Sequence, residues 1–364
     1  MKILNVIQGT NLGGMEQASL SLMIGLKKLG NTLSVISLNP IGSLGPLLLK
    51  NGIAAIGLPY RGIGGWRSFF LVKKALRESN SDALIMTGHH FFSMIALGKF
   101  CSRRRILAVH FHHTGVKPEW QWRLIYMLAC VRFNAITFPS DFIRGEAEAI
   151  YPPLKKYSHT VRNPISIPEL HSDEERVLAR QNLGIQDDVF VIGNAGWLTQ
   201  RKRFDVFLHV AQKICEVVPN VQFLIAGDGE ERSRLKKLSN QLGIADKIQW
   251  LGWQENLTQF YKSIDVMLFN SEWDAMGLSP LEAITHGVPL VASVRHGGLK
   301  EIIDSDRYGF LLSDHDVDKL ADRVVFFIKN PAAAREIAIA GRARIQEISN
   351  PAKIADEMIL LLAE

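Results

Sequence analysis

Residues 270–298, NSEWDAMGLSPLEAITHGVPLVASVRHGG, decide the interpretation of the whole chain. The stretch follows residues 265–269, an apolar run that is typical of a buried strand. It contains two carboxylates, Asp274 and Glu282, on either side of a glycine turn that leads into a helix. Ligands of α/β proteins bind at such strand ends, so the stretch predicts a binding loop.

The start of that helix is suited to bind an anion. Ser279 is a favourable N-cap and Pro280 a favourable first helical residue. The amides near this start would point out of the positive end of the helix dipole. The residues concerned are Ala275, Met276, Gly277, Leu278 and Ser279. Glu282 would lie one turn further on, on the first exposed face, within reach of hydroxyl groups. Amides that could bind a phosphate, together with carboxylates that could bind hydroxyl groups, suggest that the ligand is a nucleotide sugar.

The composition is that of a soluble globular protein with two domains. At 364 residues, with 47% hydrophobic and 21% charged residues, the chain is long enough for two cores. Its three cysteines lie far apart without metal-ligand spacing, which favours a reducing cytoplasm. We find neither a signal-peptide pattern nor an apolar run of the roughly 18 residues that a membrane span needs. The net charge of +6 favours an acidic partner, such as a phosphate, an anionic lipid surface or a nucleic acid.

Short apolar runs alternate with amphipathic segments along the chain, which predicts an α/β fold of two doubly wound, Rossmann-like domains. Asn163-Pro164, Pro168 and the polar run 171–176 are interpreted as a linker between two such alternations. We expect a first domain over residues 1–165 and a second over residues 166–349. Each would carry its ligand loops at the carboxyl ends of its strands, so that a ligand would lie in the cleft between them.

Two loops in these positions suit a diphosphate. Gly13 and Gly14 join the first strand to the first helix, where bare backbone can approach a phosphate, although such a pair is as often structural. The loop is not a G-x-G-x-x-G pattern, which disfavours a nicotinamide cofactor. Arg201, Lys202 and Arg203 follow a strand of the second domain and could neutralise a diphosphate leaving group. A solvated helix start explains the same three cations.

A histidine cluster ends a strand of the first domain. His110 and His112 would share one face of an extended segment, and His113 would lie on the other. One of them could polarise a substrate or act as an acid or base. No carboxylate or cysteine lies nearby at ligand spacing, which disfavours a metal site.

Basic and aromatic residues are concentrated in parts of the first half of the chain. They are Arg61, Trp66, Arg67, Lys73, Lys74, Arg77, Arg103, Arg104, Arg105, Trp120, Trp122 and Arg123. Such a mixture could dock the first domain on an anionic membrane surface without spanning the bilayer. A plain solvated face is an equally good interpretation.

Taken together, these stretches resemble the retaining glycosyltransferases of the GT-B fold, family 4, over nearly the whole chain. The family pattern is a Glu, seven residues and a second Glu, then a helix, a Pro-Val-Val-Ala strand and a Gly-Gly-x-x-Glu. This sequence has Asp274, seven residues and Glu282, then Gly-Val-Pro-Leu-Val-Ala at residues 287–292 and Gly-Gly-Leu-Lys-Glu at residues 297–301.

The resemblance implies a role for each matching position. Glu282 would bind ribose hydroxyls, Asp274 hydroxyls of the donor sugar, and the amides of residues 276–278 the sugar and phosphate. Lys202 matches the diphosphate-binding lysine. Gly13 and Gly14 match phosphate-contacting glycines of the family, and Trp253 and Gln254 match the loop that receives the base. His112 matches the active-site histidine, for which His110 and His113 are alternatives. The resemblance also implies that the terminal helix, residues 350–364, packs on the first domain.

The chain departs from the family pattern at two positions. Asp274 replaces the first Glu and is one methylene shorter. Trp197 stands five residues before Lys202, where the family has a diphosphate-binding arginine. Arg201 or Arg203 would have to replace that charge, and both departures bear on the identity of the donor sugar.

We therefore expect transfer of a sugar from a nucleotide diphosphate sugar to a saccharide or lipid-linked acceptor, with retention and without a metal or other cofactor. The setting would be cell-surface polysaccharide, lipopolysaccharide or glycolipid synthesis in the cytoplasm, at the inner face of the membrane. The alternatives are a nucleotide-sugar epimerase that needs no acceptor and a non-catalytic sugar-nucleotide-binding partner protein. Nucleic-acid binding is not expected, because no nucleic-acid-binding motif accompanies the charge.

Overall fold

The chain forms two compact units. The computed structural model describes residues 1–11, 13–58, 66–89, 91–96, 104–109 and 117–363. The first unit is Met1–Ile165 together with Ser349–Glu364, and the second is Ser166–Ile348. Each unit contains a parallel sheet and helices, which confirms the predicted α/β class.

The first unit has a seven-stranded sheet in which all neighbouring strands run parallel. Its strands are β1 (Lys2–Ile7), β2 (Thr32–Ser37), β3 (Ala54–Gly57), β4 (Ala83–Thr87), β5 (Arg104–Ala108), β6 (Ala135–Phe138) and β7 (Ser158–Thr160), in the order β3-β2-β1-β4-β5-β6-β7. Its helices are α1 (Gly14–Lys28), α2 (Gly45–Lys50), α3 (Trp66–Glu78), α4 (Phe91–Ala96), α5 (Glu119–Arg132), α6 (Asp141–Ile150) and, from the end of the chain, α14 (Pro351–Ala363). All five residues of β4 are buried, as expected for a parallel strand covered on both faces.

The second unit has a six-stranded parallel sheet. Its strands are β8 (Phe190–Ala195), β9 (Val221–Ala226), β10 (Ile248–Gly252), β11 (Val266–Asp274), β12 (Leu290–Gly297) and β13 (Phe310–Leu312), in the order β10-β9-β8-β11-β12-β13. Its helices are α7 (Asp173–Asn182), α8 (Phe204–Val217), α9 (Arg232–Gln241), α10 (Thr258–Ser263), α11 (Leu278–Thr285), α12 (Val317–Lys329) and α13 (Pro331–Ser349).

The strand order of the second sheet determines where a ligand can bind. The chain moves outward from β8 to β9 and β10, and then returns to β11 on the other side of β8. Connections from the neighbouring strands β8 and β11 therefore leave in opposite directions, which opens a crevice at their carboxyl ends. The first sheet has the same arrangement at β1 and β4.

The polar run 171–176 is not a linker, and that part of the prediction is wrong. Ser172 and Glu175 form a capping box, so α7 begins directly after Ser172. Arg180 of α7 is 1% exposed and binds the Asp265 carboxylate at 2.7 Å. The residues that look like a polar linker in the sequence therefore form a helix start anchored to the second sheet.

The terminal helix α14 packs on α1 within the first unit. Its buried side chains, Ile354, Ala355, Met358 and Leu362, join the same apolar cluster as Leu22, Met23 and Leu26 of α1. Gly25 permits the close approach, because a Cβ at this position would lie 2.9 Å from the Pro351 carbonyl oxygen. Among the described residues, none of the helices is both long and apolar enough to cross a membrane.

We expect Met358→Ala to lower the free energy of unfolding by about 2–5 kcal/mol, because it removes a buried side chain between α14 and α1. Met358 is 1% exposed, whereas Leu360 on the same helix is 63% exposed. The matched control Leu360→Ala should change stability by less than about 0.5 kcal/mol. Chemical denaturation of both variants provides the measurement, and equal effects would contradict the packing of α14.

Candidate active site

The carboxyl ends of β8 and β11 bring a lysine and an aspartate together. A short 3-10 helix, Gln200–Lys202, follows β8, and β11 ends at Asp274. Lys202 Nζ donates a hydrogen bond to Asp274 Oδ2 and lies 4.9 Å from the centre of the Phe269 ring. The residues predicted to bind the diphosphate and the donor sugar are therefore direct partners in this structure.

Arg201 joins this pair. Its Nη1 lies 3.6 Å from Asp274 Oδ2 and donates a hydrogen bond of 2.8 Å to the Trp273 carbonyl oxygen. The other carboxylate oxygen, Asp274 Oδ1, accepts a hydrogen bond of 3.2 Å from the Gly277 amide. One carboxylate thus balances two cations and fixes the turn that follows β11.

Burial and the neighbouring charges determine the protonation of the pair. Burial alone would raise the pKa of Asp274, but the Lys202 ammonium and the Arg201 guanidinium outweigh it and hold that pKa below its usual value. Burial lowers the pKa of Lys202, and Asp274 offsets this effect in part. The contact between Lys202 Nζ and Asp274 Oδ2 has the geometry of an ion pair. An anionic ligand could then replace Asp274 as the partner of the ammonium group.

Glu282 lies on α11, where a buried tyrosine fixes its carboxylate. The Tyr261 hydroxyl donates a hydrogen bond of 2.8 Å to Glu282 Oε2, and Tyr261 is 2% exposed. The His286 ring centre lies 4.9 Å from that of Tyr261. Glu282 is half-buried rather than on an exposed face, and among the described residues its Oε1 makes no hydrogen bond. This oxygen is therefore free to accept a hydrogen bond from a ligand hydroxyl.

The start of α11 differs from the prediction. The helix begins at Leu278, and its N-cap is Gly277, whose φ of +72° lies in the left-handed region. The prediction of Ser279 as the N-cap is therefore wrong. The Ser279 hydroxyl instead donates a hydrogen bond of 2.8 Å to the Ala195 carbonyl oxygen, which ties α11 to the end of β8. Ala275 and the buried Met276 lie in the turn between β11 and this start.

Trp197 and Trp253 form an exposed aromatic pair beyond the ends of β8 and β10. Their ring centres are 4.3 Å apart with planes inclined at 33°, and the residues are 49% and 39% exposed. Gln254 turns its amide back to its own loop, donating a hydrogen bond of 2.8 Å to the Leu251 carbonyl oxygen. Two partly exposed indoles are suited to pack against a planar ring.

Arg203 binds a different set of carboxylates. Its guanidinium donates hydrogen bonds to Asp205 Oδ2 at 3.0 Å and to Glu272 Oε2 at 3.2 Å. Its φ of +46° is left-handed, which costs a non-glycine residue roughly 1–2 kcal/mol. Of the two arginines predicted to replace the family's diphosphate-binding arginine, the structure brings Arg201 to Asp274 but holds Arg203 on other partners.

The glycine pair lies at a helix start in the first unit. Gly13 is the N-cap of α1 and Gly14 its first residue. Glu16 folds back over this start, since a Cβ at Gly13 would lie 2.6 Å from Glu16 Oε2. Burial raises the pKa of the Glu16 carboxyl. A carboxyl group of the chain itself thus lies where the sequence predicts phosphate contacts.

The predicted active-site histidine, His112, and its alternatives His110 and His113 lie outside the described residues. Their roles stay predictions. Within the described part of the chain, no group of three or more His, Cys, Asp or Glu side chains could hold a metal ion.

The sequence profiles of two families match the chain. The profile described as "Glycosyl transferases group 1" matches residues 175–344, and the profile described as "Glycosyltransferase Family 4" matches residues 12–167. The first match falls within the second unit, and all but the last two residues of the second match fall within the first unit.

Several individual proteins are also similar to this chain. An uncharacterized glycosyltransferase of Methanocaldococcus jannaschii is 36% identical over 157 residues, which are 42% of this chain and only 40% of that relative. A Campylobacter jejuni alpha-1,4-N-acetyl-D-galactosaminyltransferase, whose name gives a sugar linked to PP-undecaprenol, is 26% identical across 100% of this chain and 99% of its own. The structure of Anabaena HepE in complex with UDP and glucose covers 100% of both chains with a TM-score of 0.87 and 19% identity. At that identity the likeness shows the fold alone.

We expect Glu282→Gln to stabilise the protein at neutral pH. Burial raises the pKa of Glu282, although the Tyr261 hydroxyl lowers it in part. The stability that comes from such a raised pKa is complete below the unfolded-state pKa and is lost as the pH rises through the folded-state pKa. The uncharged amide avoids that loss, so the gain should be absent below about pH 4, the pKa of an unfolded glutamate, and should appear as the pH rises through the raised folded-state pKa.

Thermal unfolding across this pH range provides the measurement, with Glu336→Gln on the exposed face of α13 as the control. A variant that is less stable than the wild type at neutral pH would contradict the raised pKa of Glu282.

Proposed function

We propose a reaction for this chain, which belongs to the GT-B glycosyltransferases of the family 4 type. It transfers a sugar from a nucleotide diphosphate sugar to a saccharide or lipid-linked acceptor, with retention at the anomeric carbon. The observation that carries the proposal is the placement of Lys202, Asp274 and Glu282 around the carboxyl ends of β8 and β11.

Each group of the site suits one part of such a donor. Lys202 and Arg201 supply positive charge for a diphosphate that gains charge as it leaves. Glu282 Oε1 accepts a hydrogen bond from a ribose hydroxyl while Tyr261 holds the other oxygen. Once the diphosphate takes over Lys202, the Asp274 carboxylate is released from part of its charge pairing and accepts hydrogen bonds from donor-sugar hydroxyls.

The aromatic pair suits the base of the same nucleotide. A planar base packs against the partly exposed Trp197 and Trp253 without need for charge. A diphosphate between this pair and the Lys202–Asp274 pair would follow the carboxyl edge of the sheet, where α/β proteins bind nucleotides.

The transfer needs no covalent intermediate with the protein. The bond between the anomeric carbon and the β-phosphate oxygen breaks, and the acceptor oxygen bonds to the same face of the sugar. The acceptor proton passes to the departing phosphate. The cations of the site stabilise the negative charge on that phosphate, and no metal is required for this step.

The relatives support a role in the synthesis of surface glycans. The name of the similar Campylobacter protein describes a lipid-linked acceptor, and another relative, from Rhizobium meliloti, is named as a lipopolysaccharide core biosynthesis glycosyltransferase with 26% identity over 52% of this chain. We extend that setting to this chain.

The reaction is tested by incubating the protein with a panel of nucleotide sugars and acceptors and analysing the products by mass spectrometry and NMR. We expect a glycoside with the anomeric configuration of the donor. Glu282→Ala should reduce transfer by at least about 100-fold with the fold intact, because the ribose contact is lost. Glu336→Ala on α13 serves as the control.

Unchanged turnover in Glu282→Ala would contradict the proposal. An isomerised donor in the absence of acceptor would indicate an epimerase instead. Nucleotide binding without transfer to any acceptor would indicate a non-catalytic binding protein.

We further propose that the first unit contacts an anionic membrane surface through α5. One face of this helix exposes Trp120, Leu124, Met127 and Val131, which are between 45% and 73% exposed. The spacing of four, three and four residues places them in one stripe. Trp122 does not belong to this surface, contrary to the sequence-based grouping, because it is 1% exposed and packs on Tyr126 in the core.

Positive charge flanks the stripe. Arg123 is exposed on α5, where it forms an ion pair of 2.7 Å with Glu119, and it donates a hydrogen bond of 3.2 Å to the Ile150 carbonyl oxygen at the end of α6. Lys155 and Lys156 are exposed on the 3-10 turn that follows α6 and packs on α5. An apolar stripe beside basic groups fits anionic lipids, and it would place the protein at the inner face of the membrane.

Co-sedimentation with liposomes tests this surface. Binding should increase with the fraction of anionic lipid, and the double variant Leu124→Ser, Val131→Ser should weaken it by about tenfold or more. The control is Leu178→Ser on α7, which replaces a side chain that is 58% exposed in the second unit. The proposal would be contradicted if sedimentation did not depend on the fraction of anionic lipid. It would also be contradicted if the double variant sedimented like the wild type.

A further inference from the structure

Arg203 occupies a position that demands support. It ends the 3-10 helix Gln200–Lys202 and begins α8, and it is one of two described non-glycine residues with a positive φ. The conformation of Arg203 sets the direction in which the preceding residues, Arg201 and Lys202, leave the turn. A side chain that fixes Arg203 therefore also fixes the positions of Arg201 and Lys202, which contact Asp274.

Glu272 is one of the two carboxylates that hold Arg203. It lies on β11, two residues before Asp274, and its Oε2 accepts the hydrogen bond of 3.2 Å from Arg203 Nη1. Its Oε1 accepts a hydrogen bond of 3.1 Å from Arg295 Nη1, and its Oε2 also lies 3.3 Å from His315 Nε2. Glu272 thus joins the cationic turn to β12 and to the loop that follows β13.

His315 connects Glu272 to the buried part of the sheet. Its Nδ1 lies 2.6 Å from Ser293 Oγ, which accepts a hydrogen bond of 2.8 Å from Asn270 Nδ2. Ser293 and Asn270 are both 0% exposed, and the His315 side chain is 5% exposed. Each hydrogen bond from Asn270 through Ser293 and His315 to Glu272 has one donor and one acceptor when the serine hydroxyl donates to Nδ1 and a neutral His315 donates from Nε2 to Glu272.

The neutral form fits the surroundings of the imidazole. Burial, followed by the positive charge of Arg203, lowers the pKa of His315, and the Glu272 carboxylate offsets this only in part. The ring therefore acts as a fixed hydrogen-bond donor at neutral pH.

The end of β11 holds the cationic turn from two sides. Glu272 binds Arg203, whereas Asp274 and the Trp273 carbonyl oxygen bind Lys202 and Arg201. The two attachments differ in one respect. In the proposed site a diphosphate would compete with Asp274 for Lys202, whereas Arg203 keeps Asp205 and Glu272 as its partners.

We propose that Glu272 and His315 are positioning residues that keep the Gln200–Lys202 turn in place when Lys202 exchanges Asp274 for the diphosphate of the donor. His315 fixes the Glu272 carboxylate, Glu272 fixes Arg203, and Arg203 fixes the turn. The inference rests on the proposed function, because it assigns these residues to the diphosphate part of the same site.

The test is the affinity of the whole protein for UDP, GDP, ADP and dTDP, each compared with its nucleoside, by isothermal titration calorimetry. We expect Glu272→Gln and His315→Phe to weaken binding of the preferred diphosphate by about tenfold and to leave binding of the nucleoside unchanged. A merely structural role would lower both affinities together. His315→Gln should restore most of the affinity, because its amide can donate to Glu272 from nearly the same place as Nε2.

Asp265→Asn is the matched control. Asp265 precedes β11 at its opposite end, binds Arg176 and Arg180 at 2.5 and 2.7 Å, and is 17% exposed, compared with 23% for Glu272. Its loss should lower the midpoint of thermal unfolding but not the preference for diphosphate over nucleoside. If Glu272→Gln does not fold, the two His315 variants decide the question.

The outcomes separate the two proposals. A wild-type protein that binds none of the four diphosphates would overturn the proposed function and this inference with it. A wild-type protein that binds one of them, with the same preference over the nucleoside in Glu272→Gln and His315→Phe, would overturn the inference alone.

Discussion

A buried ammonium group needs a counter-charge, and in the second unit the Asp274 carboxylate provides it for Lys202. The rest of the site depends on this ion pair. The contact joins the turn after β8 to the end of β11, the two strands whose connections diverge. Arg201, the Trp273 carbonyl oxygen and the Gly277 amide attach to the same few atoms. The turn after β11 in turn sets the start of α11, which carries Glu282. Under the proposed function, a diphosphate would replace the Asp274 carboxylate as the partner of Lys202, so the ammonium group would stay paired in both states.

The aspartate at position 274 gives this arrangement its particular form. Its short side chain holds one oxygen at Lys202 and Arg201 and the other at the Gly277 amide. A glutamate would carry the carboxylate farther by roughly one C–C bond and change which of these contacts it could make together. Trp197, the other departure from the family pattern, replaces a charge by a ring that packs on Trp253. Under the proposed function, both changes lie where the donor would bind, which gives a physical basis for a distinct donor preference.

The fold and the motif from Asp274 to Glu282 could be predicted from the sequence. The side chains that hold this motif in place could not. Apolar runs and their alternation with helices predict two parallel α/β sheets, because both faces of each strand are covered. The start of α7 was missed although the pair Ser172 and Glu175 is a recognisable capping box. Tyr261 and His315 could not be predicted. Tyr261 is 21 residues from its partner Glu282 in the sequence, and His315 is 43 residues from Glu272. Only the folded sheet brings these pairs together.

The most direct test of the account is a crystal structure of the protein with its preferred nucleoside diphosphate. We expect phosphate oxygens within hydrogen-bonding distance of Lys202 Nζ, a ribose hydroxyl on Glu282 Oε1 and the base against Trp197 and Trp253. The Glu272 contact to Arg203 should be unchanged. A nucleotide bound elsewhere, with Lys202 still paired only to Asp274, would contradict the account.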